Sequence, residues 1–169
     1  MKQAILTLSL VLSLVSPLCG TAYGATSKPV TVVDYYMLLP QEYFEVPIAT
    51  RKELIKSSGG GVVDKANGFL FAQGDGAQPS LDVALFKRKD GSYVVLVHSD
   101  ATDETDGFLD FYAWDGNKLA RIPNLLPKPF DPKFAYKIPR HGTTITVASV
   151  KGSKRFSYKW NGTKFALAN

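Results

Sequence analysis

From residue 67 onward the chain is punctuated by five X-Gly dipeptides, Asn67-Gly68, Asp90-Gly91, Asp115-Gly116, His141-Gly142 and Asn161-Gly162, with glycines 20 to 26 residues apart. Glycine enters the positive φ region at no steric cost, and Asn or Asp before it suits a tight hairpin turn. The stretches between the turns are rich in Val, Ile, Leu, Phe, Tyr and Thr, and each is long enough for two strands and their connections. This pattern predicts a mainly β, single-domain antiparallel meander folded as a sandwich or a partly open barrel. A propeller is excluded, because the intervals supply only about three blades where a closed ring needs four or more.

Two of the turns sit in copies of one motif, Tyr112-Ala-Trp-Asp-Gly-Asn-Lys118 and Tyr158-Lys-Trp-Asn-Gly-Thr-Lys164. If both are two-residue loops, Tyr112 opposes Leu119, Asp110 opposes Arg121, Tyr158 opposes Phe165 and Lys159 opposes Lys164. The first hairpin then carries apolar side chains on both faces, with Leu109, Phe111 and Ile122 on one and Tyr112, Trp114 and Leu119 on the other. The second has one buried face and shows its lysines to water. The motif pair resembles the Trp-[Asp/Asn]-Gly hairpins of small β-rich exported bacterial proteins, a resemblance that implies architecture and transfers no site.

The hairpin around Lys89-Asp-Gly-Ser92 leaves its register open. A two- or four-residue loop sets His98 against Val83, whereas a three-residue loop with a Gly bulge sets it against Asp82. Only the second register makes an Asp-His pair.

At the N-terminus, Lys2, an apolar run from Ala4 to Leu18, and small residues at Ala22 and Gly24 have the layout of a cleavable signal peptide over residues 1–24. Residues 25–169 then form the β-rich domain, periplasmic or extracellular, with no later segment apolar enough to span a bilayer. Cys19 is the only cysteine, so cleavage leaves neither a thiol nor a disulfide, and burial must carry the stability. Cleavage also lowers the formal charge from +5 to +4, since Lys2 is the one charged residue lost. That excess is small and interleaved with acids, which argues against a nucleic-acid partner.

Val30-Thr-Val-Val33 reads as a strand. Thr50-Arg-Lys-Glu53 has the form of a capping box, which predicts one short helix over about 51–57 ahead of Gly59-Gly60-Gly61. Pro123 to Pro132 is too rich in proline for an internal strand and reads as a loop pinned to the core by Leu125, Leu126 and Phe130.

No catalytic signature stands out. The acidic run Asp100 to Asp106 lacks the spacing of a calcium-binding EF-hand loop and reads as a solvated loop. Ser80, Asp82 and His98 have the residue types of a hydrolytic triad without a nucleophile motif around them. The connections Gly74 to Ser80 and Pro139 to Thr144 mix Gly and Pro with hydrogen-bonding side chains, which makes Asp75, Gln78, Arg140 and His141 binding candidates. Tyr35, Tyr36, Tyr43 and Phe44 are left without a hairpin face, so they are the candidates for an aromatic binding surface.

The sequence therefore favours an exported, non-enzymatic binding module with no metal or cofactor, whose partner is a protein or an envelope glycan. An inhibitor of an exported enzyme is one form of it. The alternative is a hydrolase of an envelope polymer using Asp82, His98, Asp110 and His141.

Overall fold

The computed structural model describes residues 27–74, 79–100, 107–150 and 154–168. Within them ten strands form two open antiparallel sheets. The larger contains β1 (Val62–Asp64), β2 (Phe69–Ala72), β3 (Leu81–Lys87), β4 (Tyr93–Ser99), β5 (Phe108–Trp114) and β6 (Leu119–Ile122), in that order. The smaller contains β7 (Phe134–Lys137), β8 (Thr144–Ser149), β9 (Arg155–Trp160) and β10 (Phe165–Ala168). Within each sheet every strand pairs with its neighbour in sequence, which makes each a meander, and the two face each other as a sandwich.

The layer between the sheets is aromatic. Phe86 of β3 lies 5.9 Å from Trp160 and 4.9 Å from Phe165 by ring centroid, and Phe111 of β5 lies 6.0 Å from Phe165. Val94, Leu96, Ile145, Val147 and Tyr158 complete the layer. The outer face of the larger sheet is covered in turn by the N-terminal segment, where Val32, Tyr35, Tyr36, Leu39, Tyr43 and Phe44 pack on Leu70, Val83, Val95, Val97 and Tyr112. Buried from both sides, β4 is apolar from Tyr93 to Val97, while β9 alternates.

The hairpin registers keep the expected faces but not the expected loops. Trp114 pairs with Leu119 and Trp160 with Phe165, so each loop has four residues. A type I′ turn needs two residues at positive φ, and each loop offers only its glycine, Gly116 at 105° and Gly162 at 91°. The Asp115 carboxylate instead accepts the Asn117 and Lys118 amides, and the Asn161 side chain accepts those of Thr163 and Lys164. A slip of two residues leaves each side chain on its own face. Tyr112 and Trp114 therefore still pack on one side and Leu109 and Phe111 on the other. Lys159 and Lys164 are both exposed, but Lys159 opposes Ala166.

The loop between β3 and β4 takes the three-residue form. Arg88 donates to the Ser92 carbonyl, Gly91 adopts φ 83°, and Asp82 stands opposite His98.

Two N-terminal expectations are corrected. Val30 to Val33 is not a strand: Thr31 caps a helix, α1 (Val32–Met37), through a box closed by Asp34. The spacing of Val32, Tyr35, Tyr36 and Leu39 puts one apolar stripe against the sheet, and that burial outweighs the β-branched preference of Val32-Val33. The helix expected over 51–57 is instead a 3-10 helix, Ile48–Glu53, with a second short 3-10 turn at Ser57–Gly59. The Thr50 hydroxyl donates back to the Pro47 carbonyl instead of capping, and Arg51 turns into the core.

Candidate functional site

Tyr35, Tyr36, Tyr43 and Phe44 are all buried beneath the N-terminal layer. Tyr36 donates to the Arg51 carbonyl at 3.1 Å, and burial pushes its phenol up to about 12. Tyr43 donates to Asp110 at 2.6 Å and meets the Tyr112 hydroxyl at 2.7 Å, and burial raises its pKa as well. These rings hold the cover to the sheet and present no free stacking face. Asp75 and Gln78 lie outside the described residues.

Arg140 and His141 are exposed at the end of a groove of about 620 Å³, walled by Val62, Phe69 and Phe71 from β1 and β2 and by Lys137, Thr144 and Thr146. Arg140 is held there by Asp64, with Nε 2.9 Å from Oδ2. Hydrogen bonds from Arg140 and Asn67 lower the Asp64 carboxyl to about 2.

This groove continues along β7. Lys137, Ile138 and Thr146 also line a second groove of about 690 Å³, bounded by Asp82, Asp100, Ala135, Ala148 and Arg155. Tyr136 leads from that groove into a third of about 650 Å³, lined by Phe130, Phe134, Phe156 and Tyr158 with Lys128 and Lys154. The three form a belt around the segment from Lys128 to His141. At its aromatic end Phe134 meets Phe156 edge-on at 5.5 Å and Phe130 lies tilted 5.0 Å from Tyr136. The Tyr136 hydroxyl accepts the Asp131 amide and so secures the proline-rich loop to β7. Lys128, Lys137, Lys154 and Arg155 are exposed and form no ion pair among the described residues.

The four groups of the hydrolytic alternative do not converge. His98 faces the inter-sheet layer, 1% exposed, with Nδ1 3.3 Å from Asp82 Oδ2 and Nε2 3.4 Å from Asp100 Oδ1. The second contact lacks hydrogen-bond geometry, so Nε2 is a buried nitrogen without a hydrogen-bond partner. Burial pulls the imidazole pKa down, but Asp100 and Asp82 outweigh it and the net shift is upward. Asp110 projects from the opposite face of the larger sheet, where it binds Tyr43 and forms an ion pair with Arg121. His141 lies in the belt. Ser80 is engaged by the Gly74 amide at 3.0 Å. Among the described residues no group of three or more His, Cys, Asp or Glu could hold a metal ion. Residues 101–106 of the acidic run lie outside the described residues.

The belt was only partly visible in the sequence. The Pro139 to Thr144 loop marked one end and the core-pinned loop from Pro123 to Pro132 the other. The alternation of Phe134, Ala135, Tyr136 and Lys137 was the available signal for the strand that joins them.

No protein-family model, curated protein or solved structure matches this chain. What defines it is its own architecture: a helix-covered β-sandwich with a grooved edge strand.

Proposed function

We propose that the protein is an exported, non-enzymatic binding module that holds a protein or an envelope glycan along the β7 belt. The observation that carries this is that the three grooves lie next to one another along β7, the first two sharing Lys137, Ile138 and Thr146 and the last two sharing Tyr136. Concave surface lined by apolar rings, with a few charged groups at its rim, is what ligand sites are built from. Four cations that form no ion pair among the described residues supply a charge that a ligand can complete. Export is supported by the pattern of residues 1–24, and among the described residues no helix is long and apolar enough to cross a membrane.

The test is retention of envelope components on immobilised mature protein, compared with a Lys137→Glu, Lys154→Glu variant. The native protein is expected to hold a partner that the variant releases. Equal retention by both, or no retention alongside turnover of an envelope polymer, overturns the reading. The Asp82-His98 contact is the one observation on the side of hydrolysis, and loss of any such turnover in Asp82→Asn would establish it.

A further inference from the structure

We infer that the free edge of β7 receives an extended peptide of alternating apolar and acidic residues, as a fifth strand of the smaller sheet. This rests on the belt being the binding site and names the ligand.

The first observation is the backbone. Among the described residues β7 pairs with β8 alone, with Phe134 opposite Ser149 and Lys137 opposite Thr146. Just before the strand, the Val150 amide donates to the Lys133 carbonyl. In an antiparallel ladder the hydrogen-bonding residues alternate, so Lys133, Ala135 and Lys137 turn their peptide groups to β8 while Phe134, Tyr136 and Ile138 turn theirs to the open side. The Phe134 amide is taken by Asp131 within its own turn, and the Tyr136 amide helps to lower the Asp100 carboxyl. The Tyr136 carbonyl and both backbone groups of Ile138 have no partner among the described residues. At the Tyr136 carbonyl and Ile138 the edge is therefore open to pairing with another strand.

The second observation is the chemistry on either side. Side chains of an added strand alternate between the two faces of the sheet. On the inner side they meet rings, Phe69 and Phe71 at one end and Phe130 and Phe134 at the other. On the outer side they meet Lys137 and Arg155, which form no ion pair among the described residues. Asp82 and Asp100 stand at the middle of the cleft, already drawn to His98. The inner positions therefore select apolar side chains and the outer positions acidic ones. A glycan would use the basic rim but not the peptide groups of the edge.

The test is selection from a displayed library of short random peptides on the mature protein, with amide chemical shifts of β7 as the structural readout. The expected result is enrichment of alternating apolar and acidic sequences that move the Tyr136 and Ile138 amides. N-methylation of a pairing amide in the best peptide should weaken it up to about tenfold, since one hydrogen bond contributes roughly 0.5–1.5 kcal/mol. In a Lys137→Glu, Arg155→Glu variant the outer preference should turn from acidic to basic. No enrichment, or affinity indifferent to N-methylation, overturns the inference. Binding of oligogalacturonate at β7 without any peptide also overturns it, yet leaves the binding-module reading standing. Absence of both peptide and partner retention removes the two together.

Discussion

Asp82 stands directly across the β3-β4 ladder from His98, and its carboxylate lies 3.3 Å from Nδ1 of an imidazole that is 1% exposed. Asp100 approaches the other ring nitrogen at 3.4 Å, and the rings of Phe130 and Tyr136 pack beside it. One histidine thus links β3, the end of β4 and the strand at the centre of the belt.

Stability should therefore depend on pH in a way that traces to this residue. The folded pKa of His98 lies above its ordinary 6.5, so its contribution is full below about pH 6.5 and is lost as pH rises through the folded value. Asp100 is shifted the other way, so its contribution is present above about pH 3.8 and fades on acidification. The thermal midpoint is expected to peak between these limits and fall on the alkaline side. His98→Gln should lower the peak and remove that alkaline fall, as read by circular dichroism melts across pH. Parallel profiles for the two proteins would contradict the assignment.

Arg51 is fully buried, with no carboxylate partner among the described residues. Its guanidinium donates to the Leu39 carbonyl at 2.7 Å and the Gln41 side chain at 2.9 Å, and lies 3.8 Å above the Phe44 ring. Removing it leaves the buried Leu39 carbonyl unpaired, at a cost of about 1–3 kcal/mol, and strips the contact with Phe44, so Arg51→Ala should be strongly destabilising in urea titration. Arg51→Lys should recover little, because one ammonium cannot reach both acceptors and cover the ring as a planar fork does. Full recovery with Lys would mean that charge alone matters there.

Gly61 permits a close approach. A Cβ at this position would come within 2.5 Å of the Ile55 carbonyl carbon, whereas one at Gly59 would meet nothing within 4 Å. Gly61→Ala should lower the unfolding free energy by an amount typical of overpacking, about 1–3 kcal/mol. Gly59→Ala, three residues before β1, should change it little. Equal effects would show that the chain beside Ile55 relaxes freely.

Strand order, sheet faces and the two unequal hairpins were legible in the sequence, because turn spacing and two-residue alternation are local. Loop size was not, since it turned on whether Asp115 and Asn161 would fold back to cap their own turns. Helix α1 was hidden behind Val32-Val33, whose local preference is for strand, although the spacing to Tyr35, Tyr36 and Leu39 was helical throughout. The four early aromatics have no hairpin face because they belong to the N-terminal cover, where they are buried against the sheet. The belt escaped for a different reason. Phe71, Asp100, Tyr136 and Phe156 come from four strands or strand ends, and only packing of the two sheets brings their grooves together.

The contact of Tyr43 with Asp110 gives a last test of what that acidic residue does. Asp110 is half-buried under the N-terminal cover, receives the Tyr43 hydroxyl at 2.6 Å, and pairs with Arg121 of the neighbouring strand. Tyr43→Phe deletes a charge-assisted hydrogen bond and leaves the Tyr112 hydroxyl without its partner at 2.7 Å, so a loss of about 1.5–3 kcal/mol is expected. The Arg121 side of the pair is mostly solvated, so Arg121→Ala should cost at most about 1 kcal/mol. A double-mutant cycle between Tyr43→Phe and Asp110→Asn should return a coupling of more than about 0.5 kcal/mol, with no change in partner retention by the belt. If Asp110→Asn instead abolished an activity while leaving stability intact, the carboxylate would belong to a reaction and not to the join between the cover and the sheet.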